Sequence, residues 1–384
     1  MSAPHGRPRR AARWALVTVL VAAVAVTPQA IASLPVEDRP EVTAQQVTAS
    51  VLASARVQHS GTAESRGELD LPDVRRLGNL VALLGGTTRT RVWWAGPDRW
   101  RVDEQGATAD VSTYRDEVGT WTWDSDEGTA VRVVGEPALR LPRPADLGPA
   151  DVGRRLLAAA DGARSTRIGA RRIAGRTGLG VSVRPDDPRS LVESVQVWAD
   201  SATGLPLRVE VTAVGTDEPT AVSTWLDLSV EPPHSDALTF RPSAGVEPSW
   251  TEAPDVVSLI DRFGRVRLPA ELTGVPRREA ATGIGGRGGV GTYGDGLATF
   301  AVLPLPRDIA RETFRSLESA AGVREVAAER GEVLALETPL LSAVVARGDR
   351  RGYLLAGPVL PAVLEDAASE LLADPPGRRE GGSR

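Results

Sequence analysis

The stretch Gly119–Val133, GTWTWDSDEGTAVRV, decides how this chain is read. Side chains on a strand alternate between faces with a period of two. Trp121 and Trp123 therefore share one face, and Thr120, Thr122 and Asp124 share the other. The acidic stretch Asp124–Gly128 is a turn signal. A second alternating run follows it, with Thr129, Val131 and Val133 on one face and Ala130 and Arg132 on the other. The spacing predicts a hairpin with one bulky apolar face. That face is either ordinary core or the wall of a cavity.

More strands are expected on both sides of this hairpin. Thr87–Ala95 and Arg99–Glu104 flank the turn Gly96-Pro97-Asp98, and Ala107–Tyr114 continues the meander. After a proline-rich crossover, Pro149–Ala160 has helical spacing, with Val152, Leu156, Leu157 and Ala160 on one side. Strands resume over Arg167–Ile173, Gly180–Arg184, Leu191–Ala199, Pro206–Val214 and Ala221–Leu228. Upstream, Pro40–Val57 reads as a helix in which Thr43 and Gln46 form a capping box. About ten antiparallel strands curl or close rather than lie flat. The fold class expected is α+β, mostly antiparallel β: a curved, incomplete barrel with helices plugging it, plus a small α+β domain.

That second domain is expected over 297–373, after a Gly-rich linker at 266–296, with the large β domain at 40–265 and a disordered tail at 374–384. Nine glycines fall within Gly274–Gly296. They produce G-x-G-x-x-G three times, but no helix is expected to follow, so a dinucleotide site is not inferred.

Composition excludes several functions. All 45 basic residues other than histidine are arginine, so Schiff-base and phosphate-loop lysines are absent. No cysteine is present, which removes thiol catalysis, disulfides and thiolate metal sites. His59 and His234 stand alone outside the N-terminus, and a metal centre is not expected. No G-x-S-x-G elbow supplies a nucleophile. We expect neither enzymatic activity nor a cofactor.

The N-terminus carries Arg7, Arg9, Arg10 and Arg13, then an apolar run of 13 residues from Trp14 to Val26, then Ala30-Ile31-Ala32. This is the pattern of a secretory signal peptide over residues 1–32, cleaved after Ala32, with an uncleaved N-terminal anchor as the alternative. Removing the four arginines takes the formal charge from −5 to −9, which disfavours nucleic acid as a partner.

The tryptophans are the remaining signal. Trp93 and Trp94 point opposite ways, so one of them joins a shared face. The candidate cavity residues are Trp93, Trp100, Trp121, Trp123, Trp198 and Trp225, with Leu80, Leu83, Leu84 and Val51 as apolar covers. An apolar hollow with covers suits acyl chains, because each buried methylene contributes about 0.8 kcal/mol.

Several stretches resemble the LolA lipoprotein-carrier superfamily, and more narrowly its RseB/MucB regulators of anti-sigma factors. RVWWAGPDRWRVD (Arg91–Asp103) is similar to the family's strand–Pro–strand element, and Thr113–Val133 to its aromatic hairpin. VWADSATGLPLRVEV (Val197–Val211) resembles its D-x-x-T/S-G-L-P-L-R signature. TYGDGLATFAVLPLP (Thr292–Pro306) and GYLLAGPVLPAVLEDAA (Gly352–Ala368) are similar to the RseB C-terminal domain. The arginine-only, glycine-rich composition fits an actinobacterial-type source. The resemblance implies a LolA-like incomplete barrel and an exported protein that senses a lipid or acylated protein. Its partner would be a membrane-bound anti-sigma factor or transporter. A lipid or lipoprotein carrier without a signalling role is the alternative.

Overall fold

The structure is a computed structural model describing residues 38–67, 85–106, 110–135, 146–242, 246–253, 266, 268–278, 290–318, 322–349 and 351–373. The expected signal peptide, Leu80, Leu83 and Leu84, the densest part of the glycine run and the tail lie outside the described residues.

Two antiparallel meanders build the large sheet. The first is β1 (His59–Gly67), β2 (Thr87–Gly96), β3 (Arg99–Gln105), β4 (Asp110–Arg115), β5 (Gly119–Asp124) and β6 (Thr129–Val134). The second is β7 (Arg164–Ile173), β8 (Arg176–Arg184), β9 (Val192–Asp200), β10 (Pro206–Ala213) and β11 (Ala221–Ser229). Pairing of β1 with β11 joins the two meanders. A short strand, β12 (Ser249–Glu252), adds to β6 in parallel. The result is a curved twelve-stranded sheet that stays open, as the expected incomplete barrel requires.

Two helices cover one face, called inner below. Helix α1 (Ala44–Ala53) begins at the capping box read from the sequence: Gln46 N donates to Thr43 Oγ1, and Thr43 N to Gln46 Oε1. Its buried side chains, Val47 and Val51, pack with Val181, Val195, Val197 and Val209. Helix α2 (Pro149–Ala159) adds Leu157 to the same cluster. These residues are almost wholly removed from water, each contributing roughly 1.5–3 kcal/mol.

The second sheet has eight strands in the order β13 (Glu271–Leu272), β14 (Val275–Arg278), β15 (Gly291–Tyr293), β16 (Phe300–Leu305), β20 (Gly352–Gly357), β19 (Ser342–Arg347), β18 (Glu332–Glu337) and β17 (Val323–Val326). Helix α3 (Arg307–Glu318) covers one face through Phe314, against Leu334 and Val345. Helix α4 (Pro361–Ala373) covers the other through Leu364, Ala367 and Leu371, against Val333, Val344 and Leu355.

Two corrections follow. The linker expected over 266–296 contains β13, β14 and β15, and Leu272, Val275 and Tyr293 are at most 1% exposed in the second core. Glycine density masked these short strands. Within the domain expected from 297, the first strand, β16, starts at Phe300, because Gly296–Ala298 forms a 3₁₀ turn. That turn reaches the other sheet: Leu297 packs in the cluster beneath α1 and α2, and Ser190 Oγ donates to its carbonyl at 3.0 Å. Backbone bonds from Leu191 to Pro358 and from Leu360 to Arg189 tie the sheets beside it.

Candidate functional site

The inner face of β1, β2, β3 and β11 meets α2 around a cavity of about 180 Å³. Strand alternation explains its walls. On β2, Thr88, Thr90 and Val92 are buried while Thr87, Arg89 and Arg91 are exposed, so the even positions turn inward and carry Trp94 with them. Trp94 lies opposite His59 on β1 and opposite Trp100 on β3. The Trp94 and Trp100 rings are nearly parallel, with centroids 6.4 Å apart. His59 stacks on Trp94 at 6.1 Å and meets Trp225 edge-on at 5.4 Å. Val92 and Val102 complete the apolar wall.

Helix α2 supplies the polar rim with Asp151, Arg154 and Arg155, and Ala150 lies beside them. Arg154 Nη2 donates to Asp151 at 2.7 Å, and its guanidinium lies 5.6 Å from the Trp94 ring. Arg155 donates to Asp146 at 2.9 Å and to Asp151 at 3.1 Å. Each rim cation thus has a carboxylate beside it.

The motif Asp200–Arg208 is the scaffold beneath this site. Asp200 is 4% exposed and receives Arg176 in a two-point contact at 2.9 Å per bond, plus Thr203 N and Oγ1. Burial works to raise its pKa, but the bonds from Arg176 and Thr203 outweigh it and hold the carboxyl below its ordinary value. Gly204 has φ +73°, and a Cβ there would lie 2.5 Å from Ser50 O of α1. Only glycine allows this turn to press on that helix. Leu205 and Leu207 are fully buried, and Pro206 O accepts the Trp225 indole N–H at 3.1 Å. A Cβ on Gly153 would sit 2.8 Å from Pro206 Cβ, so α2 packs directly on the same proline. One signature therefore positions both helices and one cavity wall.

Of the tryptophans named from the sequence, Trp100 and Trp225 line the cavity, and Trp93, Trp121, Trp123 and Trp198 do not. Trp93 points outward from β2 between Arg91 and Arg101, at 5.1 and 4.7 Å. Its neighbour Trp94 takes the inner place. Trp121 and Trp123 do share a face, but it is the outer one, because Trp121 pairs with Tyr114, which in turn pairs with the outward Arg101. The hairpin's valines point the other way, since Thr120 and Thr122 pair with Val133 and Val131. The hairpin is thus apolar on both faces rather than on one. Trp198 is 2% exposed on the face opposite Val197, beneath Arg171 at 4.1 Å, with its indole N–H donated to Gly169 O at 3.0 Å. Val51 is core beneath α1 and does not line the cavity.

Sequence reasoning took Trp93 rather than Trp94 for the cavity and did not place His59 or Arg154 there. His59 sits at the head of the buried alternation His59-Gly61-Ala63, which is the one local signal that it faces inward. His59 is 1% exposed, and its Nδ1 lies 2.8 Å from Val57 O. Burial is the main cause that lowers its pKa from 6.5 to about 4. No group of His, Asp and Glu among the described residues is placed to hold a metal ion.

No protein-family model and no curated protein matches the chain. Among solved structures it is similar to the MucA/MucB complex of Pseudomonas aeruginosa, at 18% identity over 85% of this chain and 96% of that one, with a TM-score of 0.45. Another structure of MucB, in complex with MucA(peri), gives 18% identity over 85% of this chain and 97% of that one, at a TM-score of 0.44. A LolA superfamily protein from Nitrosomonas europaea is 14% identical, covering 52% of this chain and 98% of that one, with a TM-score of 0.23.

Proposed function

We propose that this chain is an exported sensor that holds the end of a lipid or acylated ligand in its inner cavity and regulates a membrane-bound anti-sigma factor. The observation that carries the reading is the aromatic cavity between β1–β3, β11 and α2, which the protein's own side chains leave unfilled. Its volume is below the ~300–1,000 Å³ of drug-sized pockets, yet similar to the ~150 Å³ apolar cavity that accepts benzene. It suits a short alkyl segment rather than a whole lipid. Roughly five buried methylenes at about 0.8 kcal/mol each give a dissociation constant near millimolar. Affinity of that order suits a reversible sensor.

The regulatory part of the proposal rests on the sequence resemblance to RseB/MucB proteins, which spans both sheets. In the MucB structures, MucA is the partner of that protein.

Two measurements test the reading. Titration with a fluorescent short-chain alcohol should show saturable binding that the double variant Trp94→Ala, Trp100→Ala abolishes. Absence of saturable binding to the unaltered protein would remove the cavity from the proposal. Affinity capture from membranes of the source cell should retain an anti-sigma factor. Stable recovery of acylated cargo without one would point to a carrier instead.

A further inference from the structure

We infer that the cavity selects a ligand whose buried end is an uncharged hydrogen-bond donor, a hydroxyl or an amide N–H, received by His59 Nε2. The inference rests on the cavity reading above and names the chemistry of the group that enters.

Four observations converge. First, a carbonyl can only accept, so the contact of His59 Nδ1 with Val57 O at 2.8 Å fixes the proton on Nδ1. Nε2 is left with a lone pair, and His59 lines the cavity. Second, the indole N–H of Trp94 is donated to Ala55 O at 3.0 Å and that of Trp225 to Pro206 O at 3.1 Å. Those two walls therefore present only apolar ring surface. Third, the rim charges are matched within α2 and its approach: Arg154 with Asp151, and Arg155 with Asp146 and Asp151. Arg154 Nη1 is nevertheless buried without a hydrogen-bond partner, so the acceptor atom that a hydroxyl or an amide carries beside its donor also has a place to go. Fourth, the imidazole is clamped between two indoles, so Nε2 cannot swing away to find water.

An acceptor buried at an aromatic cavity wall discriminates strongly. A ligand with a donor satisfies it, and one without leaves it desolvated and unpaired, which is the costlier state. A protonated imidazole would reverse the preference, but burial keeps this ring neutral above about pH 4.

The test uses the full chain and matched probe pairs. Hexyl alcohol and methyl pentyl ether have the same heavy-atom count but differ in the donor. N-methylpentanamide and N,N-dimethylpentanamide differ in the amide N–H. Calorimetric titration should give roughly tenfold tighter binding of the donor-bearing member in at least one pair. Preference within the alcohol pair identifies a hydroxyl, and preference within the amide pair an acyl-amide. His59→Phe keeps the aromatic wall and should bring each pair to within about twofold. Should that variant fail to fold, the imidazole nitrogen resonances of the unaltered protein still report, with Nε2 shifting when the donor probe binds and not when the ether does. Equal binding within both pairs overturns the role of His59 while leaving the cavity intact. Failure of all four probes to bind overturns the cavity reading and this inference with it.

Discussion

Strands β2–β5 carry aromatic side chains on both faces, and the two faces use them differently. Inside, Trp94 and Trp100 stand beside His59, Val92 and Val102 under helix α2. Outside, the aromatics are interleaved with arginines: Arg91, Trp93, Arg101, Tyr114, Phe240, Trp121, Arg132 and Trp250 follow one another. The inner rings line a cavity because helix α2 lies across them. The outer rings fill their own gaps, since guanidinium groups stack on Trp93, Trp121 and Trp250 while their charge stays near water. Arg101 holds Asp103 by two bonds and Arg132 holds Asp116 by two bonds, which fixes the cations in the ladder. Abundance of tryptophan therefore does not mark a binding site. What marks it is a roof that closes before the rings meet.

This contrast can be broken at several points. The largest effect is expected at Trp225, which is 3% exposed and joins the cavity wall to Pro206. Trp225→Ala should cost about 3–5 kcal/mol in denaturant unfolding. A loss under about 1 kcal/mol would mean that the inner wall is not built as described.

His59 gives the next effect. Its native pKa of about 4 lies below the ordinary 6.5, so the unfolded chain binds the proton first. The contribution of the neutral ring is complete above pH 6.5 and is lost as pH falls toward 4, by roughly 3 kcal/mol at 1.36 kcal/mol per unit. Arg154 and Asp151 act on the same ring in opposite senses. Comparing the pH dependence of unfolding in the unaltered chain and in His59→Phe isolates this part. Identical slopes between pH 4 and 6.5 would contradict the buried, neutral assignment.

The faces should separate in ligand binding too. Trp94→Ala should weaken an apolar probe by about tenfold or more, whereas Trp121→Ala with Trp123→Ala should leave its affinity within about twofold. Equal losses would erase the distinction between the faces. Arg91→Ala, at the exposed end of the ladder, should lower stability by only about 0.5 kcal/mol, readable as a small midpoint shift.

Much of the fold was legible because it is written locally. The Thr43–Gln46 capping box, the Gly96-Pro97-Asp98 turn and the Pro149 helix start lie where their residues require. The strands β13–β15 were less legible, since Val275–Arg278 and Gly291–Tyr293 are short and flank the glycine run. The site was legible only in part. The signature Asp200–Arg208 stood out, yet its role in seating Gly204 on Ser50 and Pro206 on Gly153 depends on helices distant in sequence.

The sequence alone determined that Trp121 and Trp123 share a face, because a strand's period of two is a property of its own backbone. It determined likewise that Trp93 and Trp94 do not. Only the tertiary structure decided which of those faces is roofed. That choice depends on the register of β1 with β2 and β11, and on where α2 lands, and one residue of slip would exchange every inner side chain for an outer one.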